Sequence, residues 1–264
     1  MRFAVYQASR IGGRNYNQDR VAYAYSDKSL LLVLADGMGG HLHGEIAAQI
    51  AIHTFMRAFA QAAQPRVPEP KEFLGEVMRR AHEAIIQYAY AQQLGGNPGT
   101  TCVVALVQDG QVHRAHAGDS RCYLLRGGRT AAVTHDHSAV QQWVDWGIIK
   151  PEEMKTHPDR NKITNCLGGV EDMFFAESAP AMPLQPGDVL LLCSDGLWGP
   201  LEEEDIPAAF SATPLPQTLE QLMDKALRQG GVRADNTTAV VVRWGDAEEE
   251  QAAPAPVCVV LEAR

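Results

Sequence analysis

Short apolar runs separated by polar turns fill much of the chain, and their length is typical of β-strands. Two longer segments differ, because residues 45–62 and about 71–94 repeat apolar positions at helical spacing. Three prolines lie between these segments, so two separate helices are predicted. Strands are predicted at residues 3–8, 21–25, 30–35, 100–108, 112–117, 122–125, 130–134, 173–176, 188–193 and 237–244.

The second half of the chain adds a segment of a different kind. Residues 136–169 are polar and rich in turn residues, which predicts a mostly helical surface flap rather than core. Two shorter helices are predicted near 203–210 and 218–229. Strands and helices arrive in blocks rather than in strict alternation, which favours antiparallel sheets covered by helices.

Composition predicts one large domain followed by a tail. The chain has 264 residues, and 45% of them are hydrophobic. This is enough to bury the core of a single domain, predicted for residues 1–245. Residues 246–264 begin with an acidic stretch rich in proline and alanine, so a flexible tail is expected there. Within it, residues 257–261 are apolar enough to dock on the domain.

Charge and sorting signals limit the expected partners. The net charge is -9 and no block of lysines or arginines occurs, so a nucleic acid is not an expected partner. The sequence shows no signal peptide and no run of the ~20 apolar residues that span a membrane. We therefore expect a cytoplasmic protein that does not act at a membrane. Nothing in the sequence requires a second copy, so a monomer is expected.

The five cysteines are scattered and form no C-x-x-C pair. This spacing argues against a zinc ribbon and against a disulfide framework. Cys102, Cys122 and Cys193 lie inside apolar runs, where a thiol is usually a small buried hydrophobic group. They are predicted to be buried.

Four short acidic stretches lie beside predicted strands. They read Asn17-Gln18-Asp19, Asp36-Gly37-Met38-Gly39-Gly40, Ser194-Asp195-Gly196 and Asp235-Asn236. A buried, unpaired carboxylate is costly unless a cation compensates its charge. Carboxylates from distant parts of the chain therefore suggest one site for two hard metal ions. Oxygen ligands suit Mg²⁺ or Mn²⁺ better than zinc. The sequence thus predicts a metal-dependent hydrolase.

These stretches belong to a longer ordered series of motifs. The series is Arg14-x-x-Asn17-Gln18-Asp19, Asp36-Gly37-Met38-Gly39-Gly40-His41, Gly118-Asp119-Ser120-Arg121, Ser194-Asp195-Gly196 and Asp235-Asn236. It resembles the PPM superfamily, the type-2C protein phosphatases, over about residues 1–244. The run from Asp136-His137-Ser138 to Leu167-Gly168 is similar to the flap of the bacterial branch.

The resemblance implies an α+β fold, a four-layer α-β-β-α sandwich of two antiparallel sheets flanked by helices, with a small helical flap. It also implies hydrolysis of phosphoserine and phosphothreonine in proteins by a hydroxide held between two Mn²⁺ or Mg²⁺ ions. Phosphorylated proteins are the implied partners. By the same analogy, the enzyme reverses the signalling of a bacterial Ser/Thr kinase.

The resemblance also implies roles for single residues. Asp36 bridges the two metal ions, and the Gly37 carbonyl binds the second. Asp195 and Asp235 complete the ligands of the first ion. Asp119 matches the residue that, together with Asp195, holds a third and weaker ion in bacterial members.

Further residues are implied to act around the ions rather than on them directly. Asp19 acts through metal-bound waters, and Asn236 lies behind the ligands with it. Arg14 matches the arginine that binds the substrate phosphate, a role that suits the fork of a guanidinium group. Arg14 and Asp36 are therefore the expected catalytic residues.

The chain departs from the animal branch at two positions. Met38 stands where animal members have a histidine proposed as the general acid, so that role cannot be carried over. His41 lies nearby and is the candidate for it; the alternative is a loop histidine without a catalytic role. Gln18 replaces an acidic residue of the animal branch and supplies no charge.

Two other interpretations remain at this point. His41-x-His43 and His135-Asp136-His137 could be zinc-ligand pairs, although no further correctly spaced histidine cluster follows either of them. Alternatively, the chain could be a catalytically weak relative that binds phosphoproteins or acts as a sensor. The presence of all three of Asp36, Asp195 and Asp235 argues against a weak relative, because charged buried groups are costly to keep.

Overall fold

The computed structural model describes residues 1–38, 43–169, 174–211 and 214–245, and the backbone of 257–261. Its strands are β1 (Phe3–Arg10), β2 (Asp19–Tyr25), β3 (Ser29–Met38), β4 (Gly99–Thr100), β5 (Cys102–Gln108), β6 (Gln111–Ala117), β7 (Arg121–Arg126), β8 (Arg129–Val133), β9 (Leu167–Gly168), β10 (Glu177–Pro183), β11 (Val189–Cys193), β12 (Thr237–Trp244) and β13 (Val257–Leu261). Its α-helices are α1 (Gly44–Ala62), α2 (Pro70–Ala91), α3 (Ala139–Asp145), α4 (Asp195–Trp198), α5 (Asp205–Ala209) and α6 (Leu215–Gly230).

The strands form two sheets. Sheet I has the order β1-β12-β11-β7-β8, and sheet II has the order β10-β6-β5-β3-β2-β13. The two-residue strands β4 and β9 attach beside β3 at one end of sheet II. Neighbouring strands are antiparallel, as in the pairs β1–β12 and β2–β3.

The apolar run of β3 shows how the layers are built. Successive side chains of a strand point to opposite faces of the sheet. Leu30, Leu32 and Leu34 accordingly pack against sheet I, in a cluster that contains Leu190 and Val240. The alternate residues of β3 pack instead against the helices outside sheet II. A strand covered on both faces must be apolar throughout, which explains this unbroken run.

Helices cover both outer faces. The buried stripe of α1 includes Ile52, Phe55 and Phe59, which share one cluster with Met78 and Ile85 of α2. Each fully buried side chain of this size contributes roughly 1.5–3 kcal/mol through burial. On the other side, α4, α5 and α6 cover sheet I. The predicted α-β-β-α sandwich is therefore confirmed.

One predicted strand is wrong. Residues 174–176, the described part of the strand predicted at 173–176, form no strand, and the strand lies later, at Glu177–Pro183. This strand, β10, contains two prolines, which have no N–H to donate to a sheet. The prolines are tolerated because β10 lies at the edge of sheet II. The register of β10 with β6 also shifts between Ala179 and Met182.

The predicted flap is less helical than expected. It contains α3 and a 3₁₀-helix at Pro151–Thr156, and turns and short extended pieces make up most of the rest of its described residues. Ser138 caps α3 near the start of the flap, because its Oγ accepts from the Gln141 N–H at 3.3 Å. A bridge between Ser138 and Ile163 joins the start of the flap to its end.

Residues 246–256 of the predicted tail lie outside the described residues. The apolar segment that follows forms β13, which pairs antiparallel with β2 at the edge of sheet II. In the part of the chain that the structure describes, no helix is long and apolar enough to cross a membrane.

Candidate metal centre

Asp36 lies where the apolar run of β3 ends, and hydrogen bonds hold its backbone. Its N–H donates to Thr101 Oγ1 at 3.1 Å, and its carbonyl accepts from the Thr101 N–H at 2.8 Å. The Thr100 hydroxyl donates to the same carbonyl at 2.9 Å. Asp19 is the register partner of Asp36 on β2, so the two carboxylates leave the same face of sheet II side by side.

Asp19 has one satisfied and one unsatisfied carboxylate oxygen. Its Oδ2 accepts from Ser194 Oγ at 2.8 Å, which ties sheet II to the end of β11. Its Oδ1 is buried and has no hydrogen-bond partner, although the residue is only 1% exposed. A buried carboxylate oxygen without a partner costs free energy. It therefore indicates a place that a cation or its water ligand approaches.

Asp195 and Asp235 come from neighbouring strands of sheet I. Asp195 is the first residue of α4 and follows β11, whereas Asp235 lies just before β12. A glycine between them permits a close approach of the two loops, since a Cβ on Gly196 would lie 2.0 Å from the Asn236 carbonyl oxygen. The pairing of β11 with β12 then fixes the two carboxylates at one end of sheet I.

Asp119 lies in the turn between β6 and β7, on the same side of the sandwich. Gly118 precedes it with φ +106°, and a Cβ on Gly118 would lie 2.6 Å from Thr101. Only glycine adopts this conformation at such a short distance without strain. Asp119 is 7% exposed, and burial and the charge of Asp195 raise the pKa of its carboxyl.

Burial and the repulsion between these acids raise the pKa of several of them. Burial, followed by the charges of Asp19, Asp195, Asp119 and Asp235, raises the pKa of Asp36 well above its usual range. Burial is the main cause that raises the pKa of Asp19 to about 6. Burial together with the charges of Asp235 and Asp19 raises the pKa of Asp195 to about 7. The structure thus brings together all five carboxylates named from the sequence.

The donors of this centre fit hard cations. Carboxylate and carbonyl oxygens are the ligands that Mg²⁺ and Mn²⁺ prefer. Gly37 lies between Asp36 and the start of α1, and a Cβ at this position would lie 2.3 Å from the Gly44 carbonyl. Together with the unpaired Oδ1 of Asp19, the set of oxygens fits a site for divalent cations.

Arg14 lies at the rim of the centre. Its Nη2 donates to Asp235 Oδ2 at 2.5 Å, and the two side chains are 55% and 37% exposed. An ion pair this exposed stabilises a protein by no more than about 1 kcal/mol. The guanidinium group can therefore exchange this partner for an anionic ligand.

Asn236 holds the loop that carries Arg14. Its Oδ1 accepts from the Gln18 N–H at 2.8 Å, and its Nδ2 donates to the carbonyls of Ile11 at 2.9 Å and Tyr16 at 3.1 Å. Three hydrogen bonds from one buried amide fix the loop against the start of β12. The predicted role of Asn236 beside the metal ligands stays a prediction.

His135 and His137 do not form the suggested zinc pair. His41 lies outside the described residues, so neither its pairing with His43 nor its suggested acid role can be placed. His135 Nε2 lies 3.1 Å from Asp145 Oδ1, whereas His137 Nε2 lies 2.8 Å from Glu177 Oε2. The two rings of the second pair therefore have different partners.

His137 does lie in a cluster with His116 and Glu177, whose ligand atoms are within 4.8 Å of one another. Hydrogen bonds account for this cluster. His137 Nδ1 accepts from the Gly118 N–H at 3.2 Å, so its Nε2 carries the proton donated to Glu177. His116 Nε2 donates to the His135 carbonyl at 2.7 Å.

Some residues that shape the centre were not singled out from the sequence. Thr100 and Thr101 hold Asp36, but nothing in a Thr-Thr pair at the start of a strand indicates this. The hydroxyl group of Ser194 anchors Asp19. Trp198 donates its indole N–H to the Asp119 carbonyl at 3.0 Å. Its position three residues after Asp195 was the available signal.

Comparison with known proteins identifies the family of this chain. Residues 6–230 match the family Protein phosphatase 2C. The serine/threonine protein phosphatase PstP of Mycobacterium tuberculosis is 37% identical over 233 residues, which cover 85% of this chain and 42% of that protein. The serine/threonine phosphatase stp of Listeria innocua is 32% identical over 232 residues, covering 87% of this chain and 90% of that protein.

A solved structure gives the same result. The catalytic domain of the serine/threonine protein phosphatase PstP in complex with two manganese ions superposes with a TM-score of 0.76 at 31% identity, covering 91% of this chain and 97% of that one. This chain therefore belongs to the protein phosphatase 2C family, and its relatives include bacterial Ser/Thr phosphatases. It spans about two fifths of the length of the mycobacterial relative.

Proposed function

We propose that this member of the protein phosphatase 2C family hydrolyses phosphoserine and phosphothreonine in proteins with two bound Mn²⁺ or Mg²⁺ ions. One observation carries the proposal: five carboxylates converge at one end of the two sheets, and burial together with the neighbouring charges raises the pKa of Asp19, Asp36, Asp119 and Asp195. Such a cluster is costly without cations. The related PstP structure holds two manganese ions, which supports the binding of two such ions here.

The carboxylates divide the binding of the ions among them. Asp36 and the Gly37 carbonyl would bind at the middle of the cluster, and Asp195 and Asp235 would bind from sheet I. Asp119 would supply a third, weaker position next to Asp195. When bound, such ions lower the pKa of coordinated water and stabilise charge on the phosphoryl oxygens.

The chain's own groups then position the substrate. Arg14 would give up its ion pair with Asp235, whose carboxylate would hold a cation, and its guanidinium group would then bind the phosphate oxygens. Asn236 keeps the Arg14 loop in place while this exchange occurs. Asp19 holds its free oxygen toward the centre, fixed by the hydroxyl of Ser194.

The proton for the leaving hydroxyl is assigned to His41, which follows the glycine pair after Met38. An imidazole group suits general acid catalysis near neutral pH. His41→Asn is therefore expected to lower kcat for a poor leaving group such as threonine and to leave an activated aryl phosphate little affected. An equal loss of kcat on both substrates would show that His41 is not the general acid.

Phosphoproteins modified by a Ser/Thr kinase are the proposed substrates, so the enzyme would act in phosphorylation signalling. The cytoplasm is the proposed location. The described cysteines Cys102, Cys122, Cys166 and Cys193 are all free thiols, which suits a reducing compartment.

Phosphate release from a phosphothreonine peptide tests this function. We expect release that requires Mn²⁺ or Mg²⁺, that stops with a chelator, and that Asp36→Asn abolishes. Asp27→Asn is the matched control, because Asp27 is an exposed acid on the β2–β3 turn. Peptide binding without phosphate release in the presence of Mn²⁺ would instead identify a phosphoprotein-binding relative.

A further inference from the structure

Arg121 begins β7, two residues after Asp119, and it forms an ion pair with Asp136, the first residue of the flap. Its Nε donates to Asp136 Oδ1 at 2.9 Å, and its Nη2 donates to Asp136 Oδ2 at 2.7 Å. The Asp136 side chain is only 3% exposed. Two parallel hydrogen bonds between a guanidinium group and a buried carboxylate fix both groups in orientation as well as distance.

The same guanidinium group lies over an aromatic ring. Its Cζ is 3.5 Å from the centroid of the Trp198 ring. Trp198 is the last residue of α4, the helix whose first residue is Asp195. Its indole N–H in turn donates to the Asp119 carbonyl at 3.0 Å. Arg121 therefore lies between the start of the flap and the short helix that carries a predicted metal ligand.

The second residue of the flap holds the other end of the same turn. The His137 N–H donates to the Gly118 carbonyl at 3.0 Å, and the Gly118 N–H donates to His137 Nδ1 at 3.2 Å. The turn of residues 118–121, with Asp119 in it, is thus held at both ends by the first two residues of the flap. A displacement of the flap must change the position of this turn.

We propose that Arg121 is a positioning residue that couples the flap to the metal position at Asp119. This inference rests on the proposed role of Asp119 as a ligand of a third ion. Coupling between two sites is reciprocal, so an ion at Asp119 steadies the flap and a steady flap favours the ion. Lysine cannot replace Arg121, since its ammonium group neither forms two parallel hydrogen bonds nor stacks as a plane.

The opposite end of β7 provides a matched control. Arg126 ends this strand and makes the same bidentate contact with Asp188, at 2.8 Å and 2.7 Å. The Asp188 side chain is 1% exposed. Arg126→Lys therefore removes a comparable buried pair from the same strand at the end away from Asp119.

The experiment measures Mn²⁺ binding to the full chain by titration calorimetry and trypsin cleavage of the flap at increasing Mn²⁺. The flap offers trypsin three sites, Lys155, Arg160 and Lys162, because Pro151 follows Lys150 and blocks cleavage there. Asp119→Asn is expected to lose the weakest class of Mn²⁺ sites. Arg121→Lys is expected to weaken that class about tenfold, as loss of a supporting partner does in other metal sites. Arg126→Lys is expected to bind Mn²⁺ like the wild type.

Mn²⁺ that fills the weak class should slow trypsin cleavage in the wild type and in Arg126→Lys, but not in Arg121→Lys. Wild-type binding and protection in Arg121→Lys would overturn the coupling and leave the role of Asp119 intact. An unchanged number of sites in Asp119→Asn would overturn both. Should Arg121→Lys not fold, Asp136→Asn takes its place, because it leaves Arg121 unchanged and removes the bidentate carboxylate that ties it to the flap; the same outcomes then decide.

Discussion

Asp195→Asn is expected to stabilise the metal-free protein at alkaline pH, although it removes a proposed metal ligand. The folded state raises the pKa of Asp195 from 3.8 to about 7, so the native state binds its proton more tightly than the unfolded state does. Stability must then fall as pH rises between these two values, because the native state has to give up the proton. The cost is absent below the unfolded pKa and complete above about pH 7.

The rise in the pKa of Asp195 from 3.8 to about 7 corresponds to roughly 4 kcal/mol, since one pKa unit is worth about 1.36 kcal/mol. Neighbouring carboxylates share this repulsion and relax when Asp195 is neutral, so about 2 kcal/mol is the gain we expect. In a protein of this size, that gain raises Tm by roughly 4–8 °C.

Thermal unfolding in a chelator at pH 5 and at pH 8.5 measures this gain. The Tm difference between Asp195→Asn and the wild type should be less than half as large at pH 5 as at pH 8.5. Addition of Mn²⁺ at pH 8.5 should reverse the order, because saturation at one hundred times Kd adds about 2.7 kcal/mol to the protein that binds the ion. Equal Tm values at pH 8.5 in the chelator would refute the repulsion argument. Asp27→Asn, which removes an exposed carboxylate, serves as the control.

Three further outcomes are expected. Asn236→Ala should lower the free energy of unfolding by about 3 kcal/mol, since three hydrogen bonds disappear. It should also raise KM, because the loop that carries Arg14 is loosened; an unchanged KM would show that this loop does not affect substrate binding. Gly196→Ala should lower stability by about 1–3 kcal/mol in urea unfolding because its Cβ would meet a carbonyl oxygen; a wild-type midpoint would contradict this. Burial raises the pKa of the Cys102 thiol to about 12 and of Cys122 to about 11, so mass spectrometry should find both unalkylated by iodoacetamide at pH 8 until the protein unfolds.

Apolar patterning predicted most of the sandwich because its strands are covered on both faces. The apolar runs in β3 and β11 are unbroken, whereas a helix covered on one side needs apolar residues only at every third or fourth position. Patterning failed at β10, where Pro180 and Pro183 break the run of strand-forming residues. Only the edge position makes this strand possible, and edge position is a property of the folded sheet rather than of the local sequence.

The carboxylates could be named from sequence because each one lies directly beside an apolar run or inside a motif. Their supports could not be named in the same way. Thr101 accepts a hydrogen bond from the backbone of Asp36, and Trp198 donates one to the backbone of Asp119. Both contacts cross the fold, and neither residue stands out in its own segment. The pairing of Arg14 with Asp235 joins residues that are distant in sequence and depends on the docking of β1 beside β12.

This docking has a consequence for how the protein is made. Asp19 and Asp36 are synthesised long before Asp235, which follows Asp19 by 216 positions, that is, 235 minus 19. Among the described strands β1 pairs with β12, so it has no partner in sheet I until β12 has left the ribosome. A growing chain therefore holds an incomplete set of the proposed ligands until Asp235 has been made. The order of translation thus delays the proposed binding of ions until β1 and β12 have paired.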